Sequence, residues 1–202
     1  MSSTVIVDYQ MGNLRSVQKA FESFGEHAVI SSRPQEIAAA DRVVLPGVGA
    51  FRDAAAAIRH HDLTGVLKDH IAADRPFLGI CLGLQLLFDV SYEDGEYEGL
   101  GIVPGAVRRF ELPPEFKIPH MGWNQLQHAD NSDSADIFQN IPAEAWFYFV
   151  HSYYVDPTDN SWVATTTDYG QPFVSVVARG NVVATQFHPE KSQRFGLKLL
   201  QN

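Results

Sequence analysis

The sequence predicts an α/β fold with a mostly parallel central sheet flanked by helices and a β-rich second half. Two patterns and one size argument predict it. In the first half, short and wholly apolar runs alternate with stretches of helical period, as parallel strands covered by helices on both faces require. In the second half, β-branched and aromatic runs follow one another across short turns. The chain has 202 residues, 45% hydrophobic and 19% charged, which suits one unit over residues 1–202 with a full core.

In order along the chain, residues 4–7 (TVIV) are the first strand candidate. Over 13–25, Leu14, Val17, Ala20, Phe21 and Phe24 recur at helical spacing, and Gly25 offers a stop. Residues 27–30 (HAVI), 42–46 (RVVLP) and 76–81 (PFLGIC) are further strands, with helical stretches near 50–60 and 62–73 between the last two. Residues 82–88 (LGLQLLF) read as the start of a helix. The stretch 89–101 holds five acids and three glycines and reads as a solvated loop, and 128–136 (HADNSDSAD) reads as another polar loop. Strand candidates then come at 106–110, 146–155, 162–167, 173–178 and 182–187, with Gly180-Asn181 marking a hairpin between the last two. Residues 192–201 close as a helix.

Composition excludes several function classes. The net charge of −9, without clustered Lys or Arg, argues against nucleic acid or an anionic membrane surface as partner. The longest apolar run, residues 77–88, is interrupted by Gln85 and is too short to span a bilayer, and the first ten residues lack the basic leader of a secretory signal. One cysteine forms no internal disulfide, which fits a reducing compartment, so a cytoplasmic location is expected. No phosphate loop of the G-x-x-x-x-G-K-[ST] form is present, and the zinc deaminase signature needs two cysteines. Neither a metal nor a cofactor is expected.

The chemistry points to Gly79-Ile80-Cys81-Leu82-Gly83. A nucleophile flanked by glycines at i±2, between a strand and a helix, has the form of a nucleophile elbow. The N–H of Leu82 would face an oxyanion formed on the attacked carbonyl. The same local pattern also fits an inert buried cysteine. Residues 185–192 (TQFHPEKS) favour the nucleophile: in extended chain His188 and Glu190 project to one side, so the acid can orient the imidazole that exchanges a proton with Cys81. Residues 45–51 (LPGVGAF) follow a strand and either offer backbone N–H groups to an oxyanion or make a plain tight turn.

These three motifs, in this order and spacing across essentially the whole chain, resemble the class I glutamine amidotransferases. The segments DYQMGNLRSV, PHMGWN, FYFVHSYYV and HPEKS are similar to the branch of that family that serves a (β/α)8-barrel cyclase in histidine biosynthesis. One departure is visible, since Gln10 stands where the family usually has glycine.

The resemblance implies that Cys81 attacks the side-chain amide of glutamine to give a glutamyl thioester, with His188 moving protons and Glu190 orienting it. It implies Val48 and Leu82 as backbone donors to the oxyanion, and Gly49, Gln85, Ser152 and Tyr153 as the residues holding glutamine. It further implies a heterodimer with the cyclase, to which ammonia passes, with Asn13, Met121, Trp123 and Lys191 at the interface. On residue type alone Trp123 reads as core and Lys191 as a solvated charge. The oxyanion site near Val48 is expected to be misformed in the free subunit and set by docking of the loaded cyclase. A different synthase partner, a binding protein that leaves Cys81 buried, and a cysteine peptidase are the other open readings.

Overall fold

The structure, a computed structural model, describes residues 3–129 and 135–202. Met1, Ser2 and residues 130–134 of the expected polar loop lie outside the described residues. The first half runs β1 (Thr4–Val7), α1 (Leu14–Glu22), β2 (Ala28–Ser31), α2 (Pro34–Ala39), β3 (Arg42–Gly47), α3 (Phe51–His60), α4 (Leu63–Ala72), β4 (Phe77–Cys81) and α5 (Leu82–Gln85). There follow β5 (Phe88–Ser91), β6 (Tyr97–Glu98), β7 (Val103–Arg109), β8 (His120–Gln125), β9 (Gln127–His128), β10 (Trp146–His151) and β11 (Tyr153–Pro157). The chain ends with β12 (Val163–Asp168), β13 (Pro172–Arg179), β14 (Val182–Thr185) and α6 (Gln193–Gln201).

The main sheet has the order β2-β1-β3-β4-β14-β13-β11-β7-β5-β6, with β12 branching from β13 and β9 pairing with β12. Its centre, β2-β1-β3-β4-β14, is parallel, and the strands beyond β14 are mostly antiparallel. Strand alternation sorts the core into two faces. Val5, Val7, Val43 and Leu45 pack with Ile37 of α2, Ile58 of α3 and Leu67 of α4, whereas Ile6 and Val44 pack with Val17 and Phe21 of α1 and Leu200 of α6. Each such side chain contributes roughly 1.5–3 kcal/mol on burial, so the helices are held by the strands rather than by their own propensity. A separate ribbon pairs β8 with β10.

The register decides where the site forms. Gly47 of β3 lies opposite Cys81 of β4, and Thr185 of β14 lies opposite Ile80. The carboxyl ends of these strands therefore deliver the 46–49 turn, Cys81 and the 186–190 segment to one edge, where open parallel sheets gather ligands.

Three expectations are corrected. The helix begun at Leu82 lasts one turn, because the chain re-enters the sheet at Phe88, which pairs with Val103 of β7. The acidic stretch 89–101 is not a loop throughout, since Val90 pairs with Glu98 and Ser91 with Tyr97 in a hairpin that carries Glu93, Asp94 and Glu96 at its tip. The apolar run 146–155 is two strands, broken at Ser152, that belong to different sheets. Strand β8 and helix α2 carry no strong sequence signal.

Gly83 sits where a Cβ would come 1.9 Å from the Leu45 carbonyl oxygen, and backbone in a central strand cannot yield. Gly83→Ala is expected to cost about 3 kcal/mol by overpacking. Gly65, in α4 with nothing within 4 Å of its added Cβ, gives the opposite sign. Gly65→Ala is expected to stabilise by about 0.4–1 kcal/mol through chain entropy. Urea unfolding of the two variants checks both signs.

Candidate active site

Cys81 ends β4 with φ 56° and ψ −106°, a conformation that costs a non-glycine residue about 1–3 kcal/mol. The turn closes because its neighbours have no side chains. A Cβ on Gly79 would lie 2.8 Å from that of Ala184, and one on Gly47 would lie 2.3 Å from the Tyr9 hydroxyl. Tyr9 is fully buried and donates to the Pro46 carbonyl at 2.7 Å, pinning the base of the 46–49 turn. Burial, and next the Cys81 sulfur, push its phenol far above the usual range, so it stays a neutral donor. Gln10, beside it, has φ 67°, the left-handed backbone that glycine adopts most readily, and its N–H donates to Asp8 Oδ1 at 2.9 Å.

His188 and Glu190 come from the segment after β14. The His188 N–H donates to the Tyr148 carbonyl at 2.9 Å, and the His188 carbonyl accepts from Ser192 Oγ at 2.6 Å. With its backbone so held, His188 Nδ1 lies 2.8 Å from Glu190 Oε1, and both side chains are 2% exposed. A carboxylate only accepts, so Nδ1 carries the proton and Nε2 is left to face the sulfur. Nε2 makes no hydrogen bond among the described residues, yet the ring feels the Cys81 sulfur. Burial alone would depress the imidazole; the Cys81 sulfur and the Glu190 carboxylate outweigh it and raise the ring from 6.5 to about 9. The arrangement favours a protonated imidazole beside the sulfur at neutral pH.

Cys81 is 7% exposed, and its sulfur lies 3.7 Å from Gln186 Nε2 and 4.0 Å from the Val150 carbonyl. Gln85, one turn into α5, is buried and donates to the Tyr153 carbonyl and to Gln186 Oε1, each at 3.2 Å. Ser152 is the break between β10 and β11, Tyr153 begins β11, and the Ser152 carbonyl accepts from the Phe110 N–H at 3.1 Å. Val48 is exposed, and Gly49 has φ 101°, with the Met11 side chain 2.9 Å from where its Cβ would be. Leu82 begins α5, so its N–H has no partner within that helix.

Sequence reasoning missed several contributors. Tyr9 and Gln186 lack any signal short of coordinates. Glu93 sits in the corrected hairpin, where its Oε2 accepts from the Phe51 N–H at 2.7 Å and caps α3 just beyond the 46–49 turn. Tyr153 registers the charges of Asp94 and Glu93, so these acids flank the same side of the site. His151 donates from Nδ1 to the Tyr153 carbonyl at 2.8 Å and pairs through Nε2 with His120 Nδ1 at 3.1 Å. Burial pushes His120 down to about 4 and His151 to about 3, so both rings are neutral. No group of three or more His, Cys, Asp or Glu side chains is placed to hold a metal ion among the described residues.

The interface candidates lie to one side. Met121 and Trp123 are 63% and 43% exposed on β8, and Trp146 of β10 is 50% exposed. Pairing places Trp123 opposite Tyr148 and Met121 opposite Val150, so one face of the ribbon is apolar and open while the other, with His120, Phe147 and Phe149, is buried. β10 and α1 both pack against the Pro189–Lys191 turn, which puts Lys191 between the ribbon and the helix that Asn13 precedes. No helix is long and apolar enough to cross a membrane among the described residues.

A family model described as "Glutamine amidotransferase class-I" matches residues 5–202. A protein of Rhodopirellula baltica named "Imidazole glycerol phosphate synthase subunit HisH" is 59% identical over 196 residues, covering 97% of this chain and 94% of its own. One of Aquifex aeolicus with the same name is 54% identical over 200 residues, covering 98% and 94%. Among solved structures, the chain is similar to one titled "Structure of PurLQS from Thermotoga maritima", with TM-score 0.73 at 18% identity over 99% of this chain and 96% of that one. Another, titled "Crystal structure of glutamine amidotransferase", gives TM-score 0.72 at 17% identity over 98% and 99%. At such identities the likeness to solved structures concerns the fold.

The raised His188 pKa links stability to pH. A group whose folded value lies above its unfolded one stabilises fully below about 6.5 and loses that contribution as pH rises through about 9. The unfolding free energy of the protein minus that of His188→Gln is therefore expected to shrink over this window, by on the order of a few kcal/mol. Urea unfolding of both proteins at intervals of pH measures the difference, and a flat difference would reject the buried imidazolium.

Proposed function

The chain belongs to the class-I glutamine amidotransferases, and from that premise we propose that it is the glutaminase subunit of imidazole glycerol phosphate synthase in histidine biosynthesis. The observation that carries the reading is the buried His188–Glu190 pair set against the strained Cys81, in a chain that matches proteins of that name along nearly all of its length. Residues 1–202 act as one amidotransferase domain.

The geometry supports a two-step reaction. The Cys81 thiolate attacks the carbonyl carbon of the glutamine side chain, and the new oxyanion faces the N–H groups of Leu82 and Val48. The C–N bond breaks as His188 gives the nitrogen its proton, so ammonia leaves and a glutamyl thioester stays on Cys81. Neutral His188 then takes a proton from water, whose oxygen attacks the thioester and releases glutamate. Glu190 fixes the ring and stabilises its charged form at both stages. Gly49, Gln85, Ser152 and Tyr153 surround the elbow where glutamine would lie, and Glu93 offers a carboxylate to an ammonium group there.

Ammonia is protonated and lost in bulk water, so a sheltered path to the acceptor is needed. In this reading the partner is a (β/α)8-barrel cyclase in a cytoplasmic heterodimer. It seats on the apolar ribbon face of Met121 and Trp123, with Lys191 and Asn13 beside it, and its docking sets the turn at Val48. The ribbon's continuity with the His188–Lys191 segment supports that placement.

Cys81→Ala is expected to lower glutamine hydrolysis by about 10⁴-fold or more. Trp123→Ala is expected to weaken cyclase binding by roughly 30-fold, as read by titration calorimetry. Ammonia release by the purified subunit should be slow alone, faster with cyclase and fastest with cyclase plus its nucleotide ligand. Equal rates in all three states would refute the coupling, and peptide cleavage without a partner would refute the amidotransferase assignment.

A further inference from the structure

A backbone carbonyl fixes the direction of a buried hydrogen-bond chain that ends on the nucleophile. The Tyr153 carbonyl oxygen can only accept, so the atom that Gln85 presents at 3.2 Å must be its amide nitrogen. That same nitrogen lies 3.2 Å from a side-chain atom of Gln186, which must then be oxygen. The NH2 of Gln186 consequently turns the other way, and there it meets Cys81 Sγ at 3.7 Å. Reversing either amide would set two donors or two acceptors against each other.

Gln186 is 0% exposed and Gln85 5% exposed. The Gln186 backbone is itself held, because its N–H donates to the Ser175 carbonyl of β13 at 2.8 Å. Burying a primary amide is costly unless every polar atom has a partner, and an aliphatic side chain would fill the same space without that cost. Here the amide has two partners, and one of them is the reacting sulfur.

We infer that Gln186 is a further catalytic residue: its Nε2–H donates to the Cys81 sulfur and favours the anionic form, while Gln85 holds the amide in the donating orientation. The contact acts twice in the cycle. It supports the thiolate that attacks, and it supports the charge returning to sulfur when water breaks the thioester. A hydrogen bond to a charged acceptor is about twice as strong as one to a neutral acceptor, so both charged states gain over the thioester between them. The inference rests on the glutaminase reading for the reaction, and on geometry alone for the state of the sulfur.

Gln186→Met keeps the volume and removes the donor. With the cyclase present, kcat for glutamine hydrolysis should fall about ten- to hundred-fold while KM changes less than about threefold. Alkylation of Cys81 by iodoacetamide should slow at pH 6.5 and converge with the wild-type rate at alkaline pH. Gln186→Glu, which sets a carboxylate against the sulfur, should slow both reactions further. Melting temperatures and circular dichroism confirm that each variant is folded before comparison. A raised KM with unchanged kcat and unchanged alkylation would overturn the inference, leaving Gln186 as a prop for Gln85. Should the wild-type complex hydrolyse no glutamine while alkylation still depends on Gln186, the glutaminase reading fails and the contact to sulfur stands.

Discussion

Cys81 occupies a backbone conformation that an L-residue with a side chain disfavours, and the site is organised around keeping it there. The strain is tolerated because three places that would ordinarily carry a Cβ are empty: Gly47, Gly79 and Gly83 let β3, β4, β14 and α5 approach to distances no alanine permits. Tyr9 locks the result from below through Pro46. Strained residues persist only where their surroundings over-determine them, and here the surroundings are the central parallel strands of the sheet. That rigidity is what aims a single sulfur at a ring contributed from more than a hundred positions away in the chain.

Two buried histidines in the same neighbourhood show how partners decide whether the push of burial toward the neutral ring is overcome. His151 and His188 are both shielded from water, and burial disfavours the protonated form of each. His151 has a carbonyl and another neutral histidine for company, and its pKa falls to about 3. His188 has a carboxylate and a sulfur, and its pKa rises to about 9. A neutral ring of fixed tautomer suits the structural task of holding the Tyr153 carbonyl, whereas a charged one suits proton delivery.

Much of this was legible in the sequence, for reasons tied to particular residues. The parallel strands show as short apolar runs because both their faces are covered, and α3 and α4 show because their buried positions recur at helical spacing. Cys81 and its flanking glycines, and His188 with Glu190, stand out because elbow and orienter have local spacing rules. What was missed depends on distant neighbours. Phe88 is as apolar in a strand as in a helix, and only its pairing with Val103 of β7 decides. The break at Ser152 is hard to see because one serine inside a β-rich run is no stop signal. Gln186 gains its meaning from Gln85 and Tyr153, and Glu93 from the start of α3, neither of which a motif encodes. Gln10 was noticed as a departure, and its left-handed φ accounts for the glycine expected there.

The central claim is that the elbow sulfur becomes covalently bonded to the substrate carbonyl carbon. Rapid acid quenching of the complex during turnover of glutamine, followed by peptide mass spectrometry, reads this directly. The account predicts a glutamyl group on the peptide bearing Cys81, absent without glutamine and removed by mild hydroxylamine. Sustained ammonia release with Cys81 unmodified at every quench time, or with the glutamyl group on another residue, would contradict it.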